Sequence, residues 1–433
     1  MMRIRGRLLP LIMGIVVALL VLPATPVAAA PVEPAAITLH RWDSQREFLR
    51  GTWDNLRPSR DGSIEVRSGA RTAAYADPFG SGASRTYDIG SWTSPVVELG
   101  YAGDEAIASW NARTPTGTFV ETTFRGRKLD GQWTKWYVLG RWTSGADFAA
   151  GDIHRTSLNG QNDTDAAIFT DTFSVRSGKE IGAYQVRATL YRPRGTAVTP
   201  RLDALTVMSN EFIGGYDRPT SAFTLGRQVE LAVPRFSQNI HRGEYPEFGG
   251  GGQVWCSPTS TSMVQYSWGD DHRVPDSELA PIVAPNGDPQ VPYAAINTWD
   301  YAYEGAGNWP FNAAYAHRFG LDTFVTRLRS LAEAEQFIEA GIPVITSLSW
   351  DLEEMPEAGY DTDGHLMVII GFTAAGDPIL NDPASNSNEA VRNIYTRKNF
   401  ERVWQDSTDG VVYIYHPADV PLPSPQPDAT PNW

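Results

Sequence analysis

The chain has 433 residues, room for two or three domains at roughly 100–200 residues each, and its 42% hydrophobic and 20% charged residues describe a folded protein, not a disordered one. A formal net charge of −14 with no long basic run argues against a nucleic-acid partner and against a polybasic membrane patch, since both need clustered positive charge. One cysteine, Cys256, excludes an intramolecular disulfide and a zinc site built on several thiolates.

Residues 1–30 read as a secretory signal peptide. Arg3, Arg5 and Arg7 precede an apolar run, Leu8 to Leu22, and a small-residue stretch follows, with the cut expected after Ala29 or Ala30. The alternative is an uncleaved anchor, but the run falls short of the ~20 residues that span a bilayer and no later stretch is long enough. The expected location is therefore secreted, outside the cell or at the cell envelope, with no stable membrane insertion after cleavage. Cysteines outside the cell are usually paired, so a lone one suggests a reactive thiol or an intermolecular bridge.

Residues 31–214 are predicted to form an all-β sandwich of jelly-roll type. Tyr184, Val186, Ala188 and Leu190 alternate with Gln185, Arg187 and Thr189, and Val120, Thr122 and Phe124 repeat the period of two. Phe169, Asp171, Phe173 and Val175 repeat it less cleanly, and Asp130-Gly131, Asn159-Gly160 and Ser177-Gly178 mark turns. Residues 215–227 read as a linker, with Pro219, Thr220 and Ser221. From 228 to 417 the texture becomes α+β. Helical periods run over Ser257–Trp268 and Leu331–Ala340, with a short helix at Asn399–Trp404. Strand-length apolar runs lie at Pro343–Leu348, Leu366–Phe372, Pro378–Leu380 and Val411–Tyr415. The proline-rich tail, 418–433, is expected to be extended and flexible.

Cys256 follows the glycine run Gly249–Gly252 and precedes Ser257-Pro258-Thr259. Proline near a first helical position is a start signal, so the thiol is expected at a helix N-terminus, where N–H groups and the helix dipole favour thiolate. The competing reading is a buried, inert cysteine. A thiolate needs a base. His365 opens the apolar strand His365–Gly371, and Asp382 ends the next strand, Pro378 to Leu380 and beyond. Antiparallel neighbours would set that carboxylate beside the imidazole, fixing its tautomer. Taken singly, a histidine is more often a satisfied core or cap residue and Asn-Asp-Pro is a turn; the order Cys, His, Asp is the informative part.

Four segments, Val233-Pro234-Arg235-Phe236-Ser237-Gln238, Trp255-Cys256-Ser257-Pro258-Thr259-Ser260, Gly364-His365-Leu366-Met367-Val368 and Asn381-Asp382-Pro383, together resemble the C39-type, papain-like cysteine peptidases, specifically their exported actinobacterial branch with a β-rich front domain. The resemblance implies a multidomain chain, a β-sandwich followed by a papain-like peptidase domain. It implies Cys256 as nucleophile, His365 as general base and acid, Asp382 as the orienting acid and Gln238 as an oxyanion donor beside the Cys256 N–H. In the transporter-linked members that glutamine lies only a few residues before the cysteine, which makes Gln253 the rival. The expected activity is hydrolysis of a peptide or related amide bond through an acyl-thioester, with a peptide or protein substrate, no metal and no organic cofactor. A binding protein whose papain-like domain no longer turns over, or an amidase or acyltransferase on a non-peptide amide, are the alternatives.

Other signals point less far. His40, His154, His241, His272, His317 and His416 lack a strand setting with a downstream carboxylate, and His241 reads as a loop histidine near Gln238. Metalloprotease, serine-elbow and Walker motifs are absent from the sequence. The acidic loop Glu353, Glu354, Glu357, Asp361 and Asp363 reads as a solvated face, with attraction of a cationic substrate as the other option. Asn159, Gln161, Asn162, Asp163 and Asp165 lack the calcium-loop spacing and read as a polar hairpin loop. Trp110, Trp133, Trp136 and Trp142 either fill the sandwich core or stack on cell-wall glycan, with Trp133 and Trp136 expected on opposite faces.

Overall fold

Period-two alternation in the first half becomes two antiparallel sheets. The computed structural model describes residues 36–67, 71–211, 219–427 and 429–433; the expected signal segment lies outside them, as do residues 212–218 of the linker region. One sheet runs in the order Ala166–Phe169, Thr172–Val175, Glu105–Arg113, Arg201–Asn210, Ile64–Val66, Leu56–Pro58, with Ile37–Trp42 also on Arg201–Asn210. The other runs Tyr137–Trp142, Phe119–Lys128, Ile181–Pro193, Ser84–Thr93, Thr52–Asp54. Tyr184, Val186, Ala188 and Leu190 are all buried while Gln185, Arg187 and Thr189 are half-buried, so the alternation sets the faces. The irregular stretch Phe169–Val175 is not one strand but the turn and second strand of a hairpin, with Phe169 paired to Thr172.

Trp110 and Trp142 sit in the core. Trp133 and Trp136 depart from the expectation of opposite faces. They precede the strand Tyr137–Trp142, so alternation does not govern them, and the Arg125 guanidinium lies 4.3 Å from one ring centroid and 4.6 Å from the other. Arg187 covers Trp136 as well, at 4.2 Å.

The second half is built on a seven-stranded antiparallel sheet, ordered Asp322–Arg327, Val411–His416, Val344–Trp350, Thr362–Phe372, Pro378–Asn381, Arg392–Ile394, with Val229–Glu230 added to Thr362–Phe372. The helix Cys256–Ser267 packs across this sheet, and Leu331–Glu339 stops before Gly341 in the left-handed region (φ +82°). The last helix, Arg397–Thr408, is longer than the expected Asn399–Trp404. Two helices, Gln290–Thr298 and Trp309–His317, and the strand Asp322–Arg327 carry no usable sequence period. Both helices are buried on nearly every side, which erases the polar stripe that marks a helix in sequence.

The two halves share one hydrophobic core. Trp110 and Trp142 pack on Phe311, with Tyr315 and Tyr293 in the same cluster. Each such side chain contributes about 1.5–3 kcal/mol on burial. Polar groups match across the seam: Asn111 donates to the Thr323 carbonyl (2.8 Å) and accepts from its N–H (3.1 Å). Buried Arg155 donates to the carbonyls of Thr143, Gly145 and Ile296. An interface both apolar and hydrogen-bonded resists the relative motion usual between domains.

Among its described residues the tail has no helix or strand, yet it is packed, which corrects the expectation of flexibility. Asn432 is buried and donates to the Arg327 carbonyl and to Glu333 (both 2.8 Å), while Pro431 accepts from Leu39 N–H (3.0 Å). Trp433 stacks edge-on against Phe337. A buried amide with two partners holds the chain end where hydropathy alone gives no signal.

Candidate active site

The cysteine is placed by the glycines before it. Gly249, Gly250, Gly251 and Gly252 all have positive φ, between 58° and 84°, a path that side chains would strain. At Gly251 a Cβ would also collide with the carbonyl oxygen of His241. The run thus folds against the His241–Glu244 turn and delivers Trp255, buried, with its indole N–H on the Phe248 carbonyl (2.8 Å). Cys256 is the first residue of the helix that follows, so its N–H and that of Ser257 have no helical acceptor behind them.

His365 comes from the strand Thr362–Phe372 and Asp382 from just past the neighbouring strand, where Val368 faces Asn381. The imidazole Nε2 and Asp382 Oδ1 are 2.8 Å apart, and both residues are almost fully buried. Cys256 lies near enough to the ring to act on its pKa, and the two residues line one cavity. Burial alone would lower the imidazole pKa; the Asp382 carboxylate, and then Cys256, raise it well above the ordinary value. Burial alone would raise that of Asp382, and the His365 imidazolium with its hydrogen-bond donors instead holds it below the usual carboxylate range. The pair is therefore held as imidazolium and carboxylate.

Asp382 accepts four hydrogen bonds. Besides His365 these come from Ala384 N–H (2.9 Å), Tyr360 hydroxyl (2.8 Å) and Tyr395 hydroxyl (2.7 Å). The phenols of Tyr360 and Tyr395 are raised by burial and then by this carboxylate, so they stay donors. No spacing rule pointed to either tyrosine: one ends a loop and the other follows a three-residue strand.

Gln238 is strapped to the same corner. Its N–H donates to the Pro383 carbonyl (2.9 Å), Ser237 N–H to Asn388 (2.7 Å), and the Asn239 amide to the Ala384 carbonyl. The side chain is buried, and with His365 and Asp382 it lines a cavity of about 630 Å³. Gln253 lines that cavity too, but is exposed. On the other side of His365 lies a cavity of about 480 Å³ walled by Cys256, Val254 and Tyr303. A thiol, a base and a carboxylate in series, with a buried amide and a helix-start N–H nearby, can perform acyl transfer.

The remaining candidates find other partners. His241 is buried and bonded to Glu244 (2.9 Å), not a loop histidine in solvent. In the polar hairpin, Asp163 accepts from Tyr137 hydroxyl and from the N–H groups of Asp165 and Ala166, and Asp165 pairs with Lys128. The acidic loop divides: Glu354 pairs with Arg402 and Glu357 accepts from Thr396 and Asn399, while Asp361 and Asp363 line the two cavities.

The antiparallel sheet thus carries the bonded His365 and Asp382, and Cys256 starts the helix packed across it. Residues 230–411 match the model of the Peptidase_C39 like family, and residues 38–210 match that of the Peptidase C39 N-terminal domain. The second half thus carries a C39-like peptidase domain and the first half a C39 N-terminal domain in front of it. No curated protein matches it. Among solved structures it is similar to a C39-like peptidase of Bacillus anthracis, at 19% identity over 43% of this chain and 97% of that one, TM-score 0.29. It is also similar to the CBM22-1–GH10 modules of a Clostridium thermocellum xylanase complexed with xylohexaose (11%, 45% and 31%, TM-score 0.19). A third likeness is to carbohydrate-binding modules of the β-sandwich superfamily (7%, 39% and 56%, TM-score 0.17). At these scores the likenesses bear on neither substrate nor mechanism.

Proposed function

We propose that the protein is an exported cysteine hydrolase that cleaves peptide or related amide bonds through an acyl-thioester on Cys256. The observation that carries this is the buried His365, bonded to Asp382 at 2.8 Å and lining one cavity with Cys256 at the start of its helix. In the first step Cys256 Sγ attacks the carbonyl carbon, and Gln238 with the Cys256 N–H receives the developing oxyanion, each donor worth about 2.7–4 kcal/mol. The C–N bond then breaks and His365 gives its proton to the leaving amine. Water, deprotonated by His365, attacks the thioester, the C–S bond breaks and the thiol–imidazole pair is restored. Asp382 orients the ring and stabilises its charge throughout. Within this proposal the sandwich half positions substrate and does not stack on glycan, since Arg125 and Arg187 lie over the faces of Trp133 and Trp136.

The test is hydrolysis of unstructured protein, reduced and alkylated casein for instance, by the secreted chain and by Cys256→Ala. Cleavage lost in the variant, with a covalent acyl adduct on Cys256 seen by mass spectrometry in the parent, is the expected result. Equal cleavage by both, or a parent that forms no adduct with any peptide amide or thioester, overturns the proposal.

A further inference from the structure

The cleft beside Cys256 does not end within the C39-like half. Its cavity shares Tyr303, Gly307, Trp309, Ser407 and Thr408 with a second cavity of about 450 Å³. The wall of that second cavity includes the sandwich: the hairpin turn Phe169–Thr172, and Glu105. Tyr303 spans the two. It lies in the wall of both, with Cys256 in the first cavity and the Phe169–Thr172 turn in the second.

The turn is held in place from the other half. Asp171 accepts from the N–H of Trp309, the first residue of the helix Trp309–His317, at 2.8 Å. Thr170, at the tip, has φ +57°, and Asp171 N–H donates across it to the Phe169 carbonyl (2.7 Å). A β-branched residue rarely adopts that conformation, and the surroundings must enforce it. Phe169, 63% exposed, lines the second cavity, Val254, 50% exposed, the first, and Tyr303, 50% exposed, both.

The exposed charges of the groove are acidic. Glu304 and Asp363 line the end near Cys256, both exposed, and neither makes an ion pair among the described residues. The groove's cations are buried and already paired: Arg327 with Glu105 (2.7 Å), Asp409 lying at 3.6 Å, and His365 with Asp382 (2.8 Å). Two joined cavities, each within the size range of ligand sites, form a run suited to an extended chain and not to one compact molecule.

We infer that the Phe169–Thr172 turn of the sandwich is a wall of the substrate groove, and that the groove takes an extended polypeptide with basic side chains near Glu304 and Asp363 and apolar ones against Val254, Tyr303 and Phe169. This rests on the reading of Cys256 as the nucleophile, and the test separates the two because it reads binding without turnover. The probe is a fluorescein-labelled decapeptide alternating lysine with leucine, titrated by anisotropy into the full chain carrying Cys256→Ala, beside the same peptide with glutamate for lysine. The lysine peptide is expected to bind at least about tenfold more tightly at low salt. Adding Glu304→Gln and Asp363→Asn reduces that preference to about threefold or less. Adding Phe169→Ala, at an exposed position that leaves the fold intact, weakens both peptides by about fivefold. No binding, equal affinity for the two peptides, or a Phe169→Ala protein that binds like its parent overturns the inference. Hydrolysis by the Cys256 protein is unaffected by that outcome, just as absence of hydrolysis leaves the binding result standing.

Discussion

The domain holds two buried histidine–carboxylate pairs close to Cys256, and they differ in one respect that matters. His365 and Asp382 are 2.8 Å apart; His241 and Glu244 are 2.9 Å apart, and both histidines are almost fully buried. In the first pair the imidazole lines a cavity with the Cys256 thiol, and the carboxylate has three further donors. In the second, His241 Nε2 and Glu244 Oε1 have no partner among the described residues, and the His241 carbonyl packs against the glycine run. A buried histidine bonded to a carboxylate is therefore not by itself what marks the candidate site; a neighbouring thiol and a fully bonded carboxylate are. His241 instead shapes the turn that delivers the cysteine.

The largest expected contrast is between the histidines. His365→Ala should cut kcat/KM by about 10⁴-fold or more, as for other base removals in triads. His241→Ala should leave the per-molecule rate within about threefold, while loss of the Glu244 hydrogen-bond partner lowers stability by about 1–3 kcal/mol, read by denaturant melts. Next come the carboxylates: Asp382→Ala is expected to cost about 10²–10⁴-fold in kcat. Glu244→Gln, measured over the same pH range, should keep the parent's pH–rate profile.

The glutamines give the next step down. Gln238→Ala should lower kcat by about 10²–10³-fold with little change in KM, and Gln253→Ala, at an exposed position, by less than about threefold. Tyr360→Phe and Tyr395→Phe each remove one donor from Asp382. The carboxylate is then less favoured, so the acid limb of the pH–rate profile should move upward by about one pH.

pH also separates buried carboxylates in stability. Asp382, held below its ordinary value, contributes stability present above about pH 4 and lost as pH falls through its lowered value. His365, raised, contributes stability present below about pH 6.5 and lost as pH rises through its raised value. Asp171 behaves oppositely to Asp382. Burial, opposed by the Trp309 N–H and the Thr172 hydroxyl, pushes it up to about 7. Between about pH 4 and 7 the folded state then holds a proton that the unfolded state lacks, so stability falls as pH rises through that window. Asp171→Asn should flatten this part of the profile in urea melts.

Cys256, His365 and Asp382 were legible because each sits where local rules are strong: a glycine run and a proline at a helix start, and two apolar strands separated by a short turn. Alternation likewise exposed the sandwich strands, with Tyr184 to Leu190 the clearest. It failed at Trp133 and Trp136, which lie outside a strand, and at Phe169–Val175, where a turn interrupts the period. The helices Gln290–Thr298 and Trp309–His317 were invisible because burial on all sides leaves no stripe. Tyr360, Tyr395 and the contact of Asp171 with Trp309 are long-range hydrogen bonds that no spacing in the chain encodes. The tail was misjudged for the same reason, since one amide, Asn432, ties it down.

The most direct measurement is the alkylation rate of Cys256 by iodoacetamide as a function of pH, in the parent and in His365→Ala and His241→Ala. A thiolate–imidazolium pair predicts a parent rate that stays high well below the ~8.5 of an ordinary thiol, a drop in His365→Ala and no such drop in His241→Ala. A parent rate that rises only near that ordinary value, unchanged by His365→Ala, would contradict the account.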